Sequence, residues 1–185
     1  MLTFELKSGL HLASLERRHA KAFFELLEKN RKRFTGILGF IERMPDEKAV
    51  ERLIDNGLKM YAEGTGVFWT IWDGEKPVGD LGARDINPVF RSAELSYFID
   101  EDYEGRGIIS ESVQVLIRHM LVEHKLERLM LRCDVSNERS QNIAKRFGFT
   151  KEGIERHGFF ADGKFRDMFV WSLLREDFDK LNESW

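Results

Sequence analysis

The spacing of apolar positions changes period several times along this chain, and each change predicts a new element. Leu10–Leu15 alternates apolar and polar side chains, the signature of a strand. Glu16–Arg31 places Ala20, Phe23, Phe24 and Leu27 on one helical face. A second helix, Asp46–Glu63, follows Pro45 and carries Val50, Leu53, Ile54, Leu58 and Tyr61. Val67–Trp72 and Lys76–Ala83 flank Asp73-Gly74 and predict a hairpin. Glu94–Ile99 predicts a strand, and Ile108–Lys125 a helix with the stripe Val113, Leu116, Ile117, Met120 and Leu121. Leu129–Val135 predicts a strand and Glu138–Phe147 a short helix closed by Gly148. Phe149–Phe160 and Phe165–Leu174 form a closing pair around Asp162-Gly163. Strands alternating with helices, combined with hairpins that need antiparallel pairing, predict a mixed α/β fold with helices flanking one sheet.

Composition narrows the setting. The 185 residues suit one domain over 1–185, and no repeat or linker divides them. Lys and Arg total 29 against 32 Asp and Glu, a net charge of −3, so no basic excess points to direct nucleic-acid binding. One cysteine excludes an internal disulfide framework and fits a reducing compartment. No run approaches the roughly 20 apolar residues of a membrane span, and Met1–Leu6 lacks a cationic start followed by a long apolar run. A cytoplasmic protein without membrane contact is expected.

The segment Ala93–Ser112 carries the most chemistry. A strand enters the acidic turn Asp100, Glu101, Asp102 and Glu104, passes Gly105-Arg106-Gly107, and starts a helix at Ile108-Ile109-Ser110. Strand, glycine loop and helix start expose backbone N–H groups at the positive end of a helix dipole, which suits phosphate. An ordinary strand-to-helix turn is the competing reading. The loop is not an NTPase P-loop, since no Gly-Lys-Ser/Thr follows, and Ser110 stands where a dinucleotide fingerprint needs glycine. The acidic side chains are expected to point to solvent, because otherwise they would repel a phosphate.

These residues resemble the GNAT superfamily of acyl-CoA N-acyltransferases. The family loop Gln/Arg-x-x-Gly-x-Gly/Ala reads here Glu104-Gly105-Arg106-Gly107-Ile108-Ile109. Within the superfamily the chain is most similar to the RimJ/RimL type, which acetylates protein N-termini, notably of ribosomal proteins. Leu15-Glu16-Arg17-Arg18-His19-Ala20, Ala93-Glu94-Leu95-Ser96-Tyr97 and Val135-Ser136-Asn137-Glu138-Arg139-Ser140 carry the likeness, with Phe147-Gly148-Phe149 and Asp162-Gly163-Lys164-Phe165-Arg166-Asp167. Glu104 departs from the family's Gln or Arg, Ile109 from its usual small residue, and Ala144–Phe147 holds no Tyr of the kind many members use as general acid. The resemblance implies a GNAT fold, a mostly antiparallel twisted sheet of about seven strands with about four helices. It also implies acetyl-CoA as cofactor and a primary amine, such as a protein N-terminus, as acceptor.

The resemblance further implies that pantetheine pairs with the strand at Phe98 and Ile99, while Gly105, Arg106, Gly107, Ile108, Ile109 and Ser110 hold the pyrophosphate. Glu94 matches a strand glutamate that is general base in some members; a salt-bridged strand carboxylate is the alternative. Asn137 is either a helix N-cap or a pantetheine contact. Ser140, three residues on, is the candidate acid for the leaving thiolate, and His157 a weaker alternate base. Freeing an α-amine of pKa near 8 at pH 7 costs about 1.4 kcal/mol against about 4.6 for lysine, so an N-terminal acceptor needs less help from a base. Arg139, Lys145 and Arg146 are candidates for the 3′-phosphate. Cys133 reads as a small core residue. His119 and His124 fall about 140° apart on an α-helix, and the five histidines show no metal spacing. The apolar stretch Phe34–Phe40 suggests a lid or a homodimer interface. A non-catalytic acyl-CoA sensor, a small-molecule acetyltransferase and a nucleotide-binding module are the rival functions.

Overall fold

The structure, a computed structural model, describes residues 3–181. Strands β1 (Thr3–Glu5), β2 (His11–Ala13), β3 (Val67–Asp73), β4 (Lys76–Asn87), β5 (Ser92–Ile99), β6 (Arg128–Asp134), β7 (Thr150–Ala161) and β8 (Lys164–Leu174) form one sheet in the order β1-β2-β3-β4-β5-β6-β8-β7. Six helices accompany it: α1 (Ala20–Lys29), α2 (Arg31–Phe34), α3 (Glu47–Ala62), α4 (Ile108–Arg118), α5 (Glu138–Arg146) and α6 (Arg175–Leu181). Every adjacent pair is antiparallel except β5–β6, which α4 connects as a crossover. The sheet therefore has the mixed α/β character expected, with β1 and α6 added to the anticipated elements.

The alternation of side chains along the strands divides the core in two. Leu95 and Tyr97 of β5 face α4, where Val113, Leu116, Ile117 and Met120 are fully buried against Trp69, Leu81 and Leu95. Phe98 faces the opposite side and meets Phe23, Phe34 and Phe40 under α1 and α2. Asp46 caps α3 by accepting from the Ala49 N–H at 2.8 Å, which explains why the helix begins after Pro45. At the β7–β8 hairpin, Asp162 and Gly163 take φ of 52° and 66°, the left-handed pair that a two-residue turn needs.

Four expectations are corrected. The helix placed at Glu16–Arg31 is interrupted: Arg17–His19 is a 3₁₀ turn, and Asn30 breaks α1 from α2. Asn30 is buried, and its side chain bonds the Leu26 carbonyl, the Glu101 N–H and Arg33, so tertiary partners outweigh continued helix there. The stretch Phe34–Phe40 is only partly exposed, with Phe34 buried and Ile37 open; Arg31 pins the segment by donating to the Ile41 and Met44 carbonyls. The helix placed at Ile108–Lys125 ends in a π turn, His119–Glu123. Residues five apart meet on a π turn, so the His119 and His124 rings lie 4.9 Å apart edge to face, and not on different faces, with His119 also against Trp69 and Phe4. Among the described residues no cluster is suited to a metal ion. Nor does any described helix have the length and apolarity to cross a membrane.

Candidate active site

Pairing between β5 and β6 covers only Ser92–Leu95 against Arg128–Leu131. Beyond Leu95 the strands diverge. β6 continues along β8, and β5 continues along β4. A wedge therefore opens inside the sheet, edged by the backbone of Phe98 and Ile99. It leads into a cavity of about 560 Å³ lined by Tyr97, Phe98, Gly105, Gly107, Ser140 and Arg146 among others.

The glycine loop closes one end. Gly105 and Gly107 have φ of 74° and 78°, values that favour glycine, and open space lies where a side chain would project. Gly107 is the N-cap of α4 and no side chain caps the first turn. The N–H groups of Ile108, Ile109 and Ser110 have no intrahelical acceptor and face the cavity that these residues line. Arg146 of α5 donates to the Ser110 hydroxyl at 2.7 Å and brings a guanidinium to the loop. Arg106 turns away from the cavity: it donates to the Asp102 carbonyl at 2.6 Å and lies over the Tyr103 ring. Of the anticipated 3′-phosphate cations, Arg139 and Arg146 line the cavity.

The acidic turn points to solvent only in part: Glu101 and Asp102 are exposed, whereas Asp100 and Glu104 are held by cations. Asp100 is fully buried and Lys29 reaches both its oxygens, at 2.7 and 2.8 Å. Burial pushes the Asp100 carboxyl up, but Lys29, the Asp102 N–H and Asn30 outweigh this and hold it below the usual range. Glu104 is paired with Arg33 of α2 at 2.6 Å and with Arg139 of α5. Its charge is thus neutralised beside the phosphate loop, which resolves the repulsion expected from the sequence.

At the inner end of the wedge, Asn137 caps α5 by accepting from the Ser140 N–H at 3.1 Å. Ser140 is buried, and its hydroxyl lies 2.8 Å from the Tyr97 hydroxyl. Burial drives the Tyr97 phenol well above its ordinary value, so it stays protonated and able to donate. Tyr97 is a functional candidate that sequence reasoning passed over. Its signal was its place beside Phe98 on the wedge strand. Cys133 lies next to this pair, buried as expected, and burial raises its thiol.

Glu94 sits on the other sheet face, nearly buried, with one oxygen paired to Arg84 and the other to Arg132 at 3.1 Å. Arg132 also bridges to Glu155 at 3.0 Å. His157 is exposed on the β7–β8 hairpin, stacked on Phe165, and is not brought to Glu94 or Ser140.

A loop of free amides, a split in the sheet and a hydroxyl pair mark a cofactor and transfer site. Comparison with known proteins decides its family: the acetyltransferase (GNAT) domain matches residues 10–150. The chain belongs to the GNAT family. It is an N-acetyltransferase that uses acetyl-CoA. The ribosomal-protein-serine acetyltransferase of Escherichia coli K12 is 25% identical over 172 residues, 93% of this chain and 96% of that protein. The spermidine N(1)-acetyltransferase of the same organism is 33% identical over 106 residues, 57% of this chain and 56% of its own. Among solved structures, a ribosomal L7/L12 alpha-N-protein acetyltransferase in complex with coenzyme A shares the fold. Its TM-score is 0.89 at 22% identity, covering 94% of this chain and 98% of that one. The open space before Gly105 and Gly107, with free amides behind it, fits a diphosphate group of this kind.

Proposed function

We propose that this GNAT enzyme acetylates a protein N-terminal α-amine by direct transfer in a ternary complex. The carrying observation is the Tyr97–Ser140 hydroxyl pair at the inner end of the wedge, 2.8 Å apart and largely removed from solvent. Acetyl-CoA supplies an activated acetyl thioester. The amides from Gly107 to Ser110 hold its diphosphate, and the edge of β5 at Phe98 and Ile99, unpaired with β6 though Arg33 donates to the Ile99 carbonyl, aligns its arm as an added strand would. Ser140 donates a proton to the departing thiolate and regains one from solvent, while Tyr97, which burial keeps protonated, donates a hydrogen bond to the Ser140 oxygen. Asn137 positions Ser140 by capping its helix. Cys133 remains a buried thiol raised by burial, which favours direct attack of the amine over transfer through this cysteine.

Glu94 is held between two guanidiniums. Both of its oxygens are occupied by these pairs and neither is open to an amine, which disfavours it as the base. Its better-supported role is to fix Arg84 and Arg132 beside the acceptor path. The near full-length match to a ribosomal-protein-serine acetyltransferase supports a protein acceptor. The partial but higher identity to a spermidine acetyltransferase favours a polyamine as second reading. Mass-read turnover of acetyl-CoA with peptide N-termini, polyamines and aminoglycosides distinguishes them. A peptide acetylated at its α-amine supports the first reading, preference for polyamines supports the second, and tight binding of acetyl-CoA without turnover of any amine supports a sensor.

A further inference from the structure

Ser96 lies on β5 in the middle of the sheet, yet it is exposed. A central-strand residue can be open only where nothing packs on that face, so Ser96 marks the floor of a cleft. Its register partner on β4 is Gly82, which adds no side chain above the floor. Two residues along β4, opposite Phe98 and on the same face, stands Asp80. It is the only ionisable group between Lys76 and Arg84 on a strand otherwise built of Pro77, Val78, Gly79, Leu81, Gly82 and Ala83.

Asp80 has an unusual lack of partners. Thr70 of β3 donates to its Oδ2 at 3.1 Å, and the carboxylate makes no other hydrogen bond or ion pair among the described residues. No cation faces it from any neighbouring element. β3 presents Thr70 and Phe68, β5 presents Phe98 and Ser96, and the α1–α2 layer contributes the phenylalanines around Phe98. The next charged groups on this face, Arg84 and Glu94, are engaged with each other. Asp80 nonetheless keeps part of its surface open to solvent, as a group at a cleft floor does. Burial pushes its carboxyl up to about 8, against the small opposing effect of the Thr70 hydroxyl. Strands disfavour aspartate and an unpaired carboxylate in a crowded site costs stability, so this position trades stability for chemistry.

We propose that Asp80 is the carboxylate that draws the acceptor's ammonium into the cleft and takes its proton. This deepens the proposed amine acetylation and rests on it. Asp80 stands on β4, so the wedge beyond β5 is two strand spacings, about 10 Å, away, a span that a chain of ordered waters bridges. Asp80 gains a proton from R–NH₃⁺ and leaves R–NH₂. The N–C bond forms and the C–S bond breaks. The thiolate takes a proton from Ser140, which regains one from solvent as the amine's second proton is released there. A proton acceptor titrating near 8 is matched to an α-amine of pKa near 8.

The test is Asp80→Asn, which keeps the shape and the Thr70 contact. Wild-type kcat/KM for a peptide acceptor should be bell-shaped near pH 8, because the productive pair is carboxylate with ammonium. In the variant kcat/KM should fall about 100-fold and rise through a single ionisation, that of the amine. Acetyl-CoA affinity should stay within about twofold, since the Asp80 side chain makes its hydrogen bond to Thr70 on β3, away from the wedge. A second measurement needs no turnover: carboxyl ¹³C resonances of the acetyl-CoA-free protein should include one titrating near pH 8 that the variant lacks. The sign for stability is opposite to that of a salt-bridged acid. A raised carboxyl makes the native state bind more protons than the unfolded chain, so stability falls as pH rises from about 4 to 8. The variant should therefore melt several degrees higher than wild type at pH 9 and equally at pH 4. An unchanged pH profile with unchanged kcat/KM overturns the proposal, as does an Asp80 resonance titrating near 4. If wild type acetylates no amine in the panel, the function fails instead, and the ¹³C titration still decides Asp80.

Discussion

The two halves of the transfer site are built by different means. The proposed cofactor half is a single run of chain, Glu104 to Ser110, that offers backbone amides; side chains such as Arg33, Arg139 and Arg146 only frame it. The proposed acceptor half draws Asp80, Ser96 and Glu94 from β4 and β5, with Arg84 of β4 and Arg132 of β6 paired to Glu94, and would work through side chains. Backbone donors cannot titrate and depend little on residue type, so they suit a ligand that never changes. Side chains on a cleft floor can be exchanged without disturbing the sheet, so they suit a partner that varies between relatives.

That contrast is most exposed to a backbone change. Gly107→Trp forces a bulky side chain onto a φ of 78° in the space before the loop. Acetyl-CoA affinity measured by calorimetry should fall at least about 100-fold; retained affinity would show that the loop is not the phosphate site. Next in size is Ser140→Ala, expected to lower kcat by about 10- to 100-fold while leaving acetyl-CoA affinity within about twofold, with Tyr97→Phe somewhat milder. If binding falls and kcat does not, the hydroxyl pair is only a contact.

A smaller effect sharpens the framing role of charge. Glu104→Ala frees Arg33 and Arg139 beside the phosphate loop. Acetyl-CoA should bind a few-fold tighter at low salt, with the gain fading as salt is added. Smallest is the acid response of the turn below the loop. Asp100 and Asp134 are both held below the usual range. For Asp134 burial pushes upward, and Ser136 and Arg166 outweigh it. Stability from such groups is present above their unfolded values near 4 and is lost as pH falls through their folded values. Melting scans from pH 6 to 3 should drop in wild type, and Asp100→Asn should flatten that drop by about 3 °C. This is the reverse of the Asp80 response, so one protein should show both signs.

Much of the frame was readable before any coordinates. The hairpin turn at Asp162-Gly163, the stripe of α4 and the cap at Asn137 are decided within a few residues and lie where the local pattern places them; the β3–β4 turn falls one residue later than expected, at Gly74-Glu75, because Asp73 stays in the ladder opposite Lys76. Asn30 was not readable, because its partners at Glu101 and Arg33 decide the helix break and one of them is 71 residues away. The π turn at His119 was missed for a related reason: its extra residue is stabilised by packing on Trp69 and Phe4, which no helical period encodes. Glu104 looked like a repulsive charge because Arg33 and Arg139 are distant along the chain. Tyr97 and Asp80 were invisible as functional groups for the same cause.

What the sequence alone determined is the cofactor loop and the family order around it, since glycine torsions and a helix start are properties of contiguous residues. What only the tertiary structure decided is where β5 parts from β6, which side chains face the resulting wedge, and which charges stay unpaired. Those follow from strand register and long-range packing, where a single-residue shift would turn Asp80 to the opposite face of the sheet.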